Sequence, residues 1–132
     1  MHTGFVPRPR PLWLPVLLAG FALLPAARPA GPDGPAVREF TVEAERFEFT
    51  PDRIEVNQGD TVRVTVQSTD VTHGFEIEEF DIDLYVHKSG RPATAEFVAD
   101  RAGSFEITCS EYCGRGHSRM KGVLIVNPGG KS

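Results

Sequence analysis

Short stretches in which apolar and polar residues alternate recur along much of this 132-residue chain. An alternation with a period of two places every second side chain on one face of a β-strand. The clearest case is the segment from Thr61 to Gln67, where three valines alternate with polar residues. The same pattern predicts further strands at residues 37–44, 54–56, 73–77, 82–86, 95–99, 104–108 and 122–126.

Groups of turn-forming residues separate these segments, notably 50–52, 57–60, 88–92 and 100–103. Residues 78–81 are predicted to form a loop. Seven or so short strands without a helical period predict an all-β fold, specifically a β-sandwich. Cys109 has the inward-facing parity of Ile107, and the segment that follows it joins the last two strands at one end of the sandwich. His73 begins its own strand with inward parity, so it can approach the same end.

The first thirty residues differ from the rest. Two arginines precede an apolar run from Leu12 to Ala27, and small residues follow it, as in a secretory signal peptide. As a helix this run would reach only ~24 Å, short of a ~30 Å hydrocarbon core. We therefore predict an export signal at 1–30, a linker at 31–36, a domain at 37–128 and a tail at 129–132. An uncleaved signal would act as a weak membrane anchor, and either outcome places the domain in the periplasm or on the outer face of the cytoplasmic membrane.

The charge balance of the exported part narrows the choice of partners. Residues 31–132 carry all eighteen acidic residues but only eleven of the fourteen basic ones, which gives a formal charge of −7. This argues against binding to nucleic acid and suits a basic partner. The acidic residues of the segment 76–83 are interpreted as a solvated face, with a docking surface as the alternative.

Most of the metal-binding chemistry lies within twelve residues. Cys109, Cys113, His117 and Met120 provide thiolate, imidazole and thioether groups, and His73 lies upstream. This combination of soft sulfur ligands with imidazole favours copper, with zinc and iron–sulfur clusters as poorer fits. Two thiolates four residues apart can bridge two copper ions, each with one histidine. The methionine and a backbone carbonyl of the loop would then be the weak ligands. Such a set leaves no open position for water or substrate, so it favours electron transfer over hydrolysis.

The segment Cys109–Met120 also carries the full motif Cys-Ser-Glu-x-Cys-Gly-x-x-His-x-x-Met, and Asp70–Phe75 reads Asp-Val-Thr-His-Gly-Phe. In both motifs the chain resembles the copper-binding domain of cytochrome c oxidase subunit II, from about residue 47 to 126. The resemblance implies a cupredoxin-like Greek-key sandwich and a binuclear CuA centre. It implies the ligands His73, Cys109, Cys113, His117 and Met120, with Glu111 ligating through its carbonyl oxygen.

The resemblance also implies partners. The domain would accept electrons from cytochrome c or a similar donor and pass them to subunit I of a haem–copper oxidase, with no catalytic site of its own. The side chain of Glu111 would approach a magnesium ion at the contact with subunit I. The tryptophan-rich segment that often serves as the electron entry in the family is missing, because Trp13 is the only tryptophan.

Several alternatives remain open at this point. The protein could be a free-standing periplasmic electron carrier or a copper-delivery protein. The nitrous-oxide reductase type of CuA domain is disfavoured, because 132 residues leave no room for its large catalytic domain. Cys109 and Cys113 could form a plain disulfide. A thiol–disulfide enzyme is disfavoured, because Cys-x₃-Cys without a helix N-terminus lacks the usual thiol activation.

Overall fold

The computed structural model describes residues 34–129, which form two packed β-sheets. The predicted leader, the first half of the predicted linker and the last three residues lie outside the described part. The strands are β1 (Val37–Glu45), β2 (Glu48–Thr50), β3 (Arg53–Asn57), β4 (Thr61–Ser68), β5 (His73–Ile77), β6 (Ile82–Val86), β7 (Ala93–Val98), β8 (Gly103–Thr108) and β9 (Lys121–Asn127). The predicted β-sandwich is therefore confirmed. Within residues 34–129, no helix is long and apolar enough to cross a bilayer.

One sheet has the strand order β2-β1-β4-β7 and the other has the order β3-β9-β8-β5-β6. β1 pairs with β4, and β3 with β9, in parallel. The remaining pairs are antiparallel. Two details differ from the sequence prediction. The short strand β2 was not separated from its neighbours by the pattern, and residues Glu78–Phe80 form one turn of 3-10 helix instead of an irregular loop.

The alternation seen in the sequence sets the inner face of each sheet. The three valines of β4 are at most 1% exposed, and the arginine between two of them points to solvent. Phe49 of β2 and Phe75 of β5 meet edge to face across the sandwich, with ring centroids 5.4 Å apart. Each large apolar side chain buried in this way stabilises the fold by roughly 1.5–3 kcal/mol. The result is one continuous core between the two sheets.

Two pairings place the site at one end of the sandwich. Thr108 pairs with Lys121, so the loop 109–120 closes between the paired ends of β8 and β9. Glu76 pairs with Thr108 in the antiparallel β5–β8 contact, which brings the start of β5 beside the same loop. His73, the first residue of β5, is therefore a neighbour of the loop although it lies 36 residues before Cys109.

Candidate metal centre

The structure brings the five side chains proposed as ligands to this end of the sandwich. Cys109 and Met120 lie at the two ends of the loop, next to the paired residues of β8 and β9. His117 begins a single turn of 3-10 helix, His117–Arg119, that returns the chain to β9. His73 enters from β5 and is fully buried.

The two sulfur atoms of the cysteines lie in the middle of the group. The Sγ atoms of Cys109 and Cys113 are 3.6 Å apart. The Nδ1 atom of His73 lies 3.9 Å from the first sulfur, and the Nδ1 atom of His117 lies 3.8 Å from the second. The order is therefore imidazole, thiol, thiol, imidazole, with one ring nitrogen facing the sulfur pair from each side.

Each sulfur has one additional weak donor beside it. The Sδ atom of Met120 lies 3.8 Å from the Sγ atom of Cys113. The backbone carbonyl oxygen of Glu111 lies 3.1 Å from the Sγ atom of Cys109, which donates to it. The side chain of Glu111 is exposed while its carbonyl faces the sulfur. The group thus divides into two halves of similar composition that share the thiols.

Burial determines the chemistry of the thiols in the metal-free protein. The exposed fractions are 5% for Cys109 and 6% for Cys113, and Met120 is fully buried. Burial, followed by the hydrogen bond and charge of the neighbouring Cys109, raises the pKa of the Cys113 thiol to about 11. Both cysteines are free thiols. A soft cation that displaces these protons would compensate for the unfavourable burial of two thiolates.

A carboxylate behind His73 fixes the orientation of its ring. The Nε2 atom of His73 lies 2.7 Å from the Oδ1 atom of Asp70. Burial alone would raise the pKa of Asp70, but the hydrogen bond from His73 and those from the backbone hold it far below its usual value. An ionised carboxylate only accepts hydrogen bonds, so Nε2 carries the ring proton. The other ring nitrogen, Nδ1, then faces the sulfur of Cys109.

Two glycines allow the loop to approach its support closely. A Cβ atom on Gly74 of β5 would lie 2.6 Å from the backbone nitrogens of both Ser110 and Glu111, so only glycine lets the loop lie this close to β5. A Cβ atom on Gly116 would lie 2.4 Å from the ring of Phe47. Phe47, in the β1–β2 turn, therefore packs directly against the loop backbone.

The acidic residues of β5 and β6 also contact the loop. Glu76 accepts a hydrogen bond from the hydroxyl of Thr108 at 3.0 Å. Asp83 accepts one from the hydroxyl of Ser110 at 2.6 Å. These two carboxylates are cross-strand partners, so they hold the start of the loop in addition to facing solvent.

His87 is not part of this group. It follows the last residue of β6, is exposed, and pairs with the hydroxyl of Ser89 at 2.9 Å. His2 lies outside the described residues. At the rim of the site, Tyr112 is 74% exposed, and its ring centroid lies 5.7 Å from that of His117.

Sequence reasoning assigned no role to three residues that contact the site. Asp70 was noted only as part of a motif, although an acid three residues before a buried histidine is a usable signal. Arg46 and Phe47, by contrast, carry no local signal, since their contacts cross 24 residues or more.

Comparisons with known proteins show which family the chain resembles. The family model described as "Cytochrome C oxidase subunit II, periplasmic domain" matches residues 38–127. Two curated proteins named cytochrome c oxidase subunit 2, both from Thermus thermophilus, are each 37% identical over 93 residues. The aligned region covers 70% of this chain in both cases, and 68% and 55% of those proteins.

A solved structure shows the same fold. The periplasmic domain of subunit II of cytochrome oxidase from Bradyrhizobium japonicum superimposes with a TM-score of 0.62 at 20% identity. The superposition covers 68% of this chain and 83% of that one. This likeness confirms the predicted cupredoxin-like sandwich.

Proposed function

Because the chain belongs to the cytochrome c oxidase subunit II family, we propose that it transfers electrons through a binuclear copper centre, CuA, into a haem–copper oxidase. The observation that carries the proposal is the central sulfur pair. Two free, buried thiols lie 3.6 Å apart, and a ring nitrogen faces each of them. The donor set fits copper, because thiolate, thioether and imidazole are its preferred ligands in proteins.

The proposed assignment follows the two halves of the site. His73 and the carbonyl oxygen of Glu111 would hold the copper ion on the Cys109 side. His117 and Met120 would hold the ion on the Cys113 side, and both thiolates would be shared. When bound, the centre takes up and releases one electron at a time. The set supplies donors for both ions without an open position, which is unfavourable for substrate binding.

The protein around the site contributes rigidity and the exclusion of water. Four of the five proposed ligand side chains are at most 6% exposed, and three of these lie in or next to strands: His73 in β5, Cys109 directly after β8 and Met120 directly before β9. Ligands held in this way move little between two oxidation states, which keeps the cost of electron transfer low. His117 is only partly buried and lies nearest the surface, next to Tyr112. We therefore propose that electrons enter the centre on the side of His117.

The proposal includes partners and a location. The matched family is that of a periplasmic domain, and we place this domain in the periplasm. Its acceptor would be subunit I of a haem–copper oxidase. A cytochrome c would be the donor, consistent with the formal charge of −7 over residues 31–132 and the basic surface of such donors. We further propose that the exposed carboxylate of Glu111 approaches a magnesium ion at the contact with subunit I.

The decisive experiment is electron paramagnetic resonance of the purified protein loaded with copper. An unpaired electron shared by two copper nuclei gives more hyperfine lines than a single nucleus can produce. We expect the shared pattern together with two copper ions per chain. A single-copper pattern, or one ion per chain, would contradict the binuclear assignment.

The rate of copper release separates electron transfer from copper delivery. A delivery protein must hand over its metal, whereas a buried electron-transfer site retains it. We expect slow loss of copper to an external chelator, because the sulfur pair is almost inaccessible to solvent. Rapid and complete transfer of copper to the chelator would favour delivery and would count against the proposed function.

A further inference from the structure

Arg46 contacts the carboxylate that orients His73. Its side-chain Nε atom and its backbone nitrogen each lie 3.0 Å from the Oδ2 atom of Asp70. The other carboxylate oxygen, Oδ1, lies 2.7 Å from the Nε2 atom of His73. The arginine and the histidine thus occupy different oxygens of one carboxylate.

The side chain of Arg46 adds a charged partner to a carboxylate that also accepts hydrogen bonds from the backbone N–H groups of Arg46 and Val71, at 3.0 and 2.5 Å. The side chain of Asp70 is 20% exposed, and that of Arg46 is 49% exposed. Without the guanidinium group these backbone bonds remain, but water replaces the lost side-chain donor and the carboxylate is held less tightly. His73 itself is fully buried, so the orientation of its ring depends on the one polar partner behind it.

We propose that Arg46 is a positioning residue for the metal centre: by fixing Asp70, it holds His73 as the Nε2–H tautomer with Nδ1 directed at the sulfur of Cys109. A hydrogen bond to one ring nitrogen determines which nitrogen is free to bind a metal. The β1–β2 turn that carries Arg46 is itself held against the loop, because the adjacent Phe47 packs on Gly116. One turn of the neighbouring sheet therefore contacts both sides of the site.

The copper readouts of this proposal rest on the proposed function, whereas its tautomer readout does not. In the metal-free protein, nitrogen-15 NMR of the His73 ring distinguishes the two neutral tautomers directly. In the copper-loaded protein, the rate of copper loss to a chelator measures how well the ligand is held. Partners of this kind typically change metal affinity by about 10- to 100-fold when they are removed.

The test compares Arg46→Ala with Arg46→Lys and with the control Arg53→Ala. Arg53 pairs with Glu55 on an exposed surface, and its side-chain exposure of 56% is close to that of Arg46. We expect Arg46→Ala to lower the Nε2–H population of His73 and to speed copper loss by about tenfold, the lower end of the usual range. Arg46→Lys should restore most of the Nε2–H population and most of the slow copper loss, since an ammonium group can also donate to the carboxylate. The control should match the unmodified protein.

Two results would overturn the proposal. One is an unchanged tautomer population and an unchanged rate of copper loss in Arg46→Ala. The other is an equal change in Arg53→Ala, which would reduce the effect to the loss of one positive charge. Failure of the unmodified protein to bind copper would instead contradict the proposed function, and the NMR measurement would still decide the role of Arg46.

Discussion

The Sγ atom of Cys109 lies 3.6 Å from the Sγ atom of Cys113, and no bond joins them. A disulfide would require a separation of about 2.05 Å. The two thiols instead face each other across a short gap, with a ring nitrogen on either side of the pair. This spacing suits the proposed role of Cys-x₃-Cys as two facing ligands from one loop, in which each cysteine would contribute to both halves of the site.

The first prediction concerns these cysteines. Replacement of Cys109 or Cys113 by serine should abolish the binuclear copper spectrum and reduce bound copper to one ion per chain or less. A hydroxyl is a poor ligand for copper compared with a thiolate and does not bridge two ions in the same way. Electron paramagnetic resonance and metal analysis would measure both effects. Ser118→Ala, an exposed change in the same loop, is the control. Retention of the shared hyperfine pattern in either serine variant would refute the bridging role.

The second prediction concerns Met120. Met120→Leu should retain copper and raise the reduction potential by about 60 mV. For a one-electron couple, this corresponds to a change of about tenfold in the equilibrium constant for reduction. A weak donor stabilises the oxidised centre more than the reduced one, so its loss favours reduction. The swap nearly conserves volume, so the free energy of unfolding of the metal-free protein should change by less than about 1.5 kcal/mol. An unchanged potential would mean that Met120 is not a ligand.

The third prediction concerns the contact between Gly116 and Phe47. Gly116 has φ −95° and ψ 3°, so an alanine would be allowed by the backbone. Its Cβ atom would nevertheless lie 2.4 Å from the Phe47 ring. Gly116→Ala should therefore destabilise the metal-free protein by about 1–3 kcal/mol through overpacking.

Chemical denaturation would measure this loss, and a second substitution tests its cause. Phe47→Ala removes the ring, so the double variant should lose less stability than the sum of the two single changes. Gly34→Ala is the matched control, since no heavy atom lies within 4 Å of its Cβ position. Strictly additive losses would show that the Phe47 ring is not the source of the strain.

The sequence pattern was sufficient to place the main parts of the site. The parity that groups Cys109 with Ile107 also predicted its burial, and the parity of His73 with Phe75 predicted that it points inward. These predictions succeed because a strand with one buried face has only two choices for each side chain. The loop 109–120 could be placed at one end of the sandwich, since a loop between adjacent strands must lie at their ends.

The supporting contacts could not be predicted in the same way. Arg46 reaches Asp70 because the β1–β2 turn of one sheet ends beside the start of β5 in the other, and nothing local in the sequence specifies that approach. Phe47 was recognised as apolar, but its partner is a glycine backbone, which has no side chain to leave a hydrophobic pattern. The turn Glu78–Phe80 is too short to show a helical period.

The last prediction concerns Asp60, a carboxylate that is 1% exposed and lies away from the metal centre. Burial by itself would raise the pKa of Asp60, but hydrogen bonds from the backbone N–H groups of Asn57 and Ala36 lower it below its usual value. The side chain of Arg38, 3.1 Å away, acts in the same direction. A lowered folded-state pKa means that this stabilisation is complete above the unfolded pKa of ~3.9 and is lost as the pH falls through the folded value.

Asp60→Asn should therefore cost roughly 2–3 kcal/mol of unfolding free energy at pH 7, because an amide cannot accept all of these hydrogen bonds. The difference from the unmodified protein should narrow as the pH drops below about 4, because Asp60 is protonated first in the unfolded chain and only at lower pH in the folded protein. Urea unfolding at pH 7, 5 and 3 would measure this trend, with Asp52→Asn as an exposed control. A difference that stays constant down to pH 3, or that the control reproduces, would show that the charge of Asp60 does not stabilise the fold.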